Sequence, residues 1–170
     1  MTDEELGQTD EARGQQLELP GPVWVPIKKG DKRALALADR HYSRQTPGSI
    51  QFVPPGRCVV LLTPCARAVW AVVQNMDPTG KVRWRNTMFR NEGAGLSSEL
   101  IRAAVAMTYQ LWRAKYGELP ALLTTEIDAG KISNQRNPGY CFKRAGWRHL
   151  YTTEGAKKGR SNLMVFGAPR

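Results

Sequence analysis

Arg90, Gly93 and Gly95 stand at the spacing Arg-x-x-Gly-x-Gly, between a run that mixes β-branched, aromatic and basic residues (82–89) and a long apolar-periodic one (96–116). In the second run Leu100, Ile101, Ala104, Val105, Thr108, Leu111 and Trp112 follow the i, i+3, i+4 rule of a half-buried helix, and the first reads as a strand. Two glycines between a strand and a helix permit a tight turn whose N–H groups converge on one point, where the positive end of the helix dipole also points. Phosphate is the anion that such a turn suits. Gly93, Ala94, Gly95, Leu96 and Ser97 would present the N–H groups, with Ser97 as the helix N-cap and Arg90 adding charge. No Gly-Lys-Ser/Thr follows, which excludes a Walker loop, and the third glycine of a dinucleotide loop is missing. Glu92 sets a negative charge inside the turn.

Two further groups could do chemistry. The apolar run 120–127 reads as a buried parallel strand, and Glu126 and Asp128 lie at its carboxyl end, where a carboxylate among apolar walls can serve as a general base. Asp128 is the better placed, just past the apolar run, whereas Glu126 fits an ion pair with a basic neighbour. His41-Tyr42-Ser43-Arg44, followed by Gln45-Thr46-Pro47-Gly48-Ser49, carries more hydrogen-bonding groups than a connector needs. A lone histidine at a helix end is read first as a cap or a packed side chain. His41, His149 and Cys141 are too scattered for ligand spacing, so no metal is expected.

These groups must be positioned by elements, and 170 residues suffice for one domain with its own core. The expected elements are a strand at 23–27, a helix from the Asp31 cap to Arg40, and strands at 56–63 and 67–74 joined by Pro64-Cys65-Ala66. The strand at 82–89, the long helix, the strand at 120–127, a short helix 140–145 and strands at 147–151 and 163–166 complete the chain. This order, β-α-β-β-β-α-β-α-β-β, is an α/β (α+β) mixed sheet with helices on both faces. Most of Trp24, Trp70, Trp84, Trp112 and Trp147 should lie in the core.

Residues 1–19 hold six of the fifteen acids and only one base, which leaves 24 bases against 9 acids, a net +15, in the rest. The sequence therefore reads as an acidic, disordered tail (1–19) before a single basic domain (20–170). A body this basic attracts polyanions, whether nucleic acid or the phosphates of a cofactor. Lys157, Lys158 and Arg160 in a basic loop could track a nucleic-acid backbone, with Arg136, Lys143, Arg144 and Arg148 as a second patch. No apolar run is long enough to span a membrane, the start lacks the order of a signal peptide, and Cys58, Cys65 and Cys141 have no paired spacing. A cytoplasmic protein with reduced thiols is expected. A monomer and a dimer are both compatible with this pattern.

The glycine loop resembles the pyrophosphate loop of the GCN5-related N-acetyltransferase (GNAT) superfamily, and the element order is that superfamily's. A second stretch, Asn137-Pro138-Gly139-Tyr140-Cys141-Phe142-Lys143-Arg144-Ala145-Gly146-Trp147, is similar to its segment along the pantetheine arm. The resemblance implies acetyl-CoA or another acyl-CoA as donor, an oxyanion donor at a bulge around Met88 or Phe89, and direct attack by an amine. The tyrosine that often protonates the leaving thiolate corresponds to Phe142, and the customary asparagine to Gln135. Either Tyr140 takes the acid role or acetyl transfer is not the chemistry.

Within that superfamily the His41–Arg44 and Phe89–Glu92 segments, the Leu-Ser-Ser-Glu-Leu helix start, Asp128 and Gly139-Tyr140 are similar to the Mom family of phage DNA-modification proteins. That likeness implies modification of the adenine exocyclic amine in double-stranded DNA, protecting it from restriction. It implies catalytic roles for Asp128, Tyr140, Tyr42 and Ser43. DNA contacts would then come from His41, Arg44, Arg136, Lys143, Lys157, Lys158 and Arg160. The alternatives are an acyl-CoA-dependent N-acetyltransferase acting on a small amine or a protein lysine, and a non-enzymatic nucleic-acid-binding module on a degenerate fold.

Overall fold

In the computed structural model, which describes residues 21–155 and 161–170, the elements occur in the expected order. They are β1 (Val25–Ile27), α1 (Lys32–Asp39), β2 (Arg57–Leu62), β3 (Ala68–Met76), β4 (Val82–Asn91), α2 (Ser97–Tyr116), β5 (Leu123–Asp128), α3 (Tyr140–Arg144), β6 (Arg148–Thr152) and β7 (Leu163–Gly167). The acidic segment 1–19 and the loop residues Lys157, Lys158 and Arg160 lie outside the described residues. No helix among the described residues is long and apolar enough to cross a membrane.

The strands form one seven-stranded sheet in the order β1-β2-β3-β4-β5-β7-β6. Every pairing is antiparallel except β4 with β5. Alternation along the strands sends Val60, Leu62, Val69, Ala71, Val73 and Met88 to one face, where α1 covers them with Ala34, Leu37 and Ala38. The opposite face, with Val59, Leu61, Trp70, Val72, Leu123 and Phe166, packs against α2 and α3. Trp24, Trp70 and Trp112 are fully buried and Trp147 nearly so, whereas Trp84 is half-buried at the margin.

Local rules explain most ends. Asp31 caps α1 by accepting the Arg33 N–H at 2.9 Å. Gly117, left-handed at φ 73°, stops α2. The sequence-based cap at Ser97 is one residue late. Leu96 occupies the N-cap position, and the Ser97 hydroxyl instead accepts from Asn91 Nδ2 at 2.9 Å. Long-range anchors fix the α2 layer: Trp24 Nε1 donates to the Leu100 carbonyl at 2.9 Å and Trp70 Nε1 to Thr108 Oγ1 at 3.0 Å, both buried.

Candidate active site

The parallel strands β4 and β5 pair only at Trp84–Leu123, Arg85–Thr124 and Asn86–Thr125. Beyond that point they part. β4 continues to Asn91 along β3, β5 continues to Asp128 along β7, and their facing edges have no strand between them. Backbone N–H and C=O groups on such edges call for a partner. The parting is fixed by a buried network in which Thr125 Oγ1 donates to Asn86 Oδ1 at 3.2 Å. Asn86 Nδ2 in turn donates to the Ala71 and Met88 carbonyls at 3.0 and 2.8 Å. Asn86 pairs with Val72 and Met88 with Ala71, so Thr87 is the extra residue of a β-bulge. The bulge thus lies one residue before the expected Met88–Phe89 position. Thr87 Oγ1 is buried there without a partner among the described residues.

A cleft of about 1110 Å³ occupies this parting. Its walls come from the 40–45 segment after α1, the second half of β4, the end of β5, the loop after it, and α3. The structure therefore brings together Tyr42, Ser43, His41, Arg90, Ser97, Asp128 and Tyr140, which the sequence had proposed from four separate stretches. Arg136 and Lys143 are exposed and are not among its lining residues, with Lys143 Nζ donating to Asn137 Oδ1 at 2.7 Å.

Asp128 is nearly buried, its side chain 8 % exposed. One oxygen accepts the Gly130 N–H at 3.0 Å, and the other lies 3.6 Å from Lys131 Nζ. Glu126 is the ion-pair partner expected of it, 3.2 Å from Arg85 Nη1. Tyr42 lines the cleft with its phenol beside the Asp128 main chain. Burial raises the phenol's pKa, opposed by that main-chain hydrogen bond and reinforced by the Asp128 and Glu126 charges, so the hydroxyl keeps its proton. Tyr140, on the first turn of α3, is half-exposed and also lines the cleft. Phe142 is buried in an aromatic cluster, with ring centroids 5.0 Å from Trp147 and 6.0 Å from Phe89, so this position offers no proton.

His41 stacks on Tyr42 with centroids 4.6 Å apart. Its Nδ1 is 2.7 Å from Ser43 Oγ and accepts the Ser43 N–H at 3.2 Å. Burial, then the Arg90 charge, lowers its pKa to about 4 against a smaller contribution from the Phe89 backbone, so the ring is neutral at pH 7. Among the described residues no group of three or more His, Cys, Asp or Glu side chains could hold a metal ion.

Two arginines behave differently from expectation. Arg44, read as a DNA contact, is 7 % exposed and spends its donors on Asp39 Oδ1 at 2.8 Å, the Gln51 carbonyl at 2.8 Å and the Ser49 carbonyl. It clamps the 44–51 loop and leaves no edge for a phosphate. Arg90, read as a cofactor contact, donates through Nε to Glu92 Oε1 at 2.6 Å and through Nη1 to the Arg40 carbonyl at 2.6 Å. Glu92 also takes Arg40 in a two-point pair, 2.7 Å at each oxygen. Its negative charge is thereby neutralised rather than aimed at the loop's anion position.

The glycine turn is held from within. Gly93 and Gly95 adopt φ of 90° and 153°, conformations that favour glycine. Asn91, which sequence reasoning did not single out, accepts the Gly93 and Ala94 N–H groups at 3.2 and 2.9 Å and donates to the Gly95 carbonyl at 2.8 Å. What remains for an anion is the Ser97 and Ser98 N–H groups at the start of α2, since those of Glu99 and Leu100 donate to the Leu96 carbonyl at 3.1 and 3.0 Å, together with the Ser97 hydroxyl.

No family model and no curated protein matches the sequence. Solved structures do match the fold. A chimera of the spermidine N-acetyltransferase SpeG from Vibrio cholerae with hSSAT superposes at a TM-score of 0.55 and 11% identity, over 85% of this chain and 93% of that one. A chain of the NatC complex, solved with Gag peptide and CoA, gives 0.52 at 13% identity, over 87% of this chain and 98% of that one. The fold is that of the GNAT acetyltransferases, a mixed sheet with helices on both faces.

Proposed function

We propose that this chain is an acyl-CoA-dependent N-acyltransferase that acts on an amine. The observation that carries the reading is the parting of β4 and β5 after Asn86 and Thr125. It leaves two strand edges open to an amide-bearing arm and places a glycine turn and helix start at the outer end. The fold neighbours support it, one being a spermidine N-acetyltransferase and the other a complex solved with CoA and a peptide.

The residues fit an acyl-CoA donor. The open edges of β4 and β5 would pair with pantetheine amides, and the α2 start with Ser97 would face the diphosphate. The bulge at Thr87, with an unpartnered buried hydroxyl, would face the acyl carbonyl. When bound, the donor supplies a thioester carbonyl activated toward an amine. Asp128, which lines the cleft and is held in position by the Gly130 N–H, accepts the proton that the amine loses on attack. Tyr140 delivers a proton to the departing sulfur, the task that Phe142 cannot perform. Tyr42, kept protonated, positions the acceptor against β5. The test is product mass spectrometry after mixing the chain with acetyl-CoA and a panel of polyamines, peptides and lysine-bearing proteins. An acetylated product that falls at least a hundredfold with Asp128→Asn is expected. No product with any amine, while acetyl-CoA binds, would overturn the reading.

A second reading takes the acceptor amine from a nucleic acid, in the manner of the Mom family. It is favoured by the partly exposed rings of Tyr42 and Tyr140, which both line the cleft, in a domain carrying about fifteen excess positive charges. The two similar structures named above are a spermidine N-acetyltransferase chimera and a complex with a peptide and CoA, which favours the amine acyltransferase. A new modified deoxyadenosine in plasmid DNA from cells expressing the chain, lost with Asp128→Ala, would reverse that order.

A further inference from the structure

We infer that Arg67 is the side chain that clamps the donor's diphosphate, in place of the motif residue Arg90. The inference rests on the acyl-CoA reading above. In the sequence motif Arg90 stands where a positive charge should serve the glycine turn, but its guanidinium is committed to Glu92 and to the Arg40 carbonyl. The Gly93 and Ala94 N–H groups are committed to Asn91. A diphosphate carries at least two negative charges, and helix-start N–H groups alone neutralise only part of that. A cation is wanted at the mouth of the turn.

Arg67 comes there from another part of the chain. It ends the turn between β2 and β3, and its carbonyl accepts the Glu92 N–H at 2.7 Å, which ties that turn directly to the glycine turn. Its Nη1 lies 4.0 Å from the point where a Cβ on Gly93 would stand, so the guanidinium overhangs the bare backbone of the motif's first glycine. Arg67 is exposed, and among the described residues no carboxylate pairs with it.

The turn that delivers Arg67 is built for placement. Thr63 Oγ1 accepts the Arg67 and Ala68 N–H groups at 3.2 and 3.0 Å, and the Thr63 carbonyl accepts from Ala66 at 2.8 Å. Ala66 is held at φ 55°, the one non-glycine residue in the left-handed region among the described residues. Such a conformation persists only where surrounding bonds enforce it. Here they set the direction in which the next residue leaves the turn. A guanidinium so placed can donate two parallel hydrogen bonds to phosphate oxygens.

The test is calorimetric binding of coenzyme A, pantetheine and inorganic pyrophosphate to the full chain and to Arg67→Met and Arg67→Lys. Pantetheine lacks the diphosphate and so reads the strand edges alone. Arg67→Met should bind coenzyme A about ten- to a hundredfold more weakly, the loss expected of one charge-assisted contact, with pantetheine affinity unchanged. Arg67→Lys should fall between. Equal coenzyme A affinity in wild type and Arg67→Met would overturn the role of Arg67 and leave the acyl-CoA reading intact. Pyrophosphate binding that depends on Arg67, in a chain that binds no coenzyme A, would keep the anion clamp and sink the donor reading. Failure to bind either probe would overturn both.

Discussion

Asn91 Nδ2 donates to Ser97 Oγ at 2.9 Å, joining the last residue of β4 to the first residue of α2 across the glycine turn. The same carboxamide accepts from Gly93 and Ala94 and donates to Gly95. One side chain thus holds both ends and the middle of the turn. Asn91→Ala removes all four bonds, and the expected loss of stability is about 1–3 kcal/mol, read as a lowered urea midpoint at unchanged slope. Asn91→Asp keeps the accepting oxygens but loses both donated bonds and adds a negative charge, so coenzyme A should bind more weakly to it than to Asn91→Ala.

Glu92 has its pKa lowered to about 2, first by its hydrogen bonds from Arg40 and Arg90 and then by their charges, against the cost of burial. A depressed carboxylate contributes stability that is fully present above its ordinary value of 4.5 and is lost as pH falls toward 2. The stability difference between wild type and Glu92→Gln, measured by denaturant unfolding, should therefore be constant from pH 7 to about 5 and shrink below that. A difference that grows on acidification would refute the ion-pair account.

His41 titrates in a neighbouring window. Its folded-state pKa of about 4 lies below the ordinary 6.5, so the unfolded chain binds the proton first. Stability linked to His41 is present above pH 6.5 and falls progressively as pH drops to about 4. His41→Gln should remove this decline between pH 6.5 and 4 while leaving the decline below pH 4.5 that belongs to Glu92. Hydrogen-1 NMR of the imidazole, titrated in the native state, reads the same value directly.

Gly139 stands at φ 73° before α3, and a Cβ there would come within 2.9 Å of Phe166 Cζ and 3.0 Å of Ile127 Cδ1, both in the core. Neither atom can yield cheaply. Gly139→Ala is expected to cost about 2 kcal/mol, a fall in Tm of roughly 4–8 °C. The shift should also move Tyr140, the next residue, so kcat should drop more than donor affinity does.

Local pattern was enough for the element order, for the cap at Asp31, and for the placement of Asp128 at the end of a buried strand with Glu126 paired to a base. That Tyr42 and Tyr140 share one site came from the resemblance to the Mom family and not from local pattern, and both line the cleft. What local pattern missed depends on which side chains the folded turns bring together, whether near or far in sequence. Arg40 and Glu92 are 52 residues apart, and only their meeting turns Glu92 from an obstacle in an anion turn into a neutralised anchor. Arg44 looked like a solvent-facing base because Asp39 and the carbonyls of Ser49 and Gln51 fold back around it. The cap at Ser97 failed because Asn91 already claims its hydroxyl. Asn91 itself carries no motif signal, and a short polar residue just before a Gly-x-Gly turn is the feature that could have drawn attention to it.

Hydrogen exchange of the full chain, with and without acetyl-CoA, tests the central claim most directly, because the donor is placed between β4 and β5. Slower exchange is expected in peptides spanning 86–98 and 126–142, with little change in β1, β2 and α1. No protection in those two spans at saturating acetyl-CoA, or protection confined to other strands, would contradict the account.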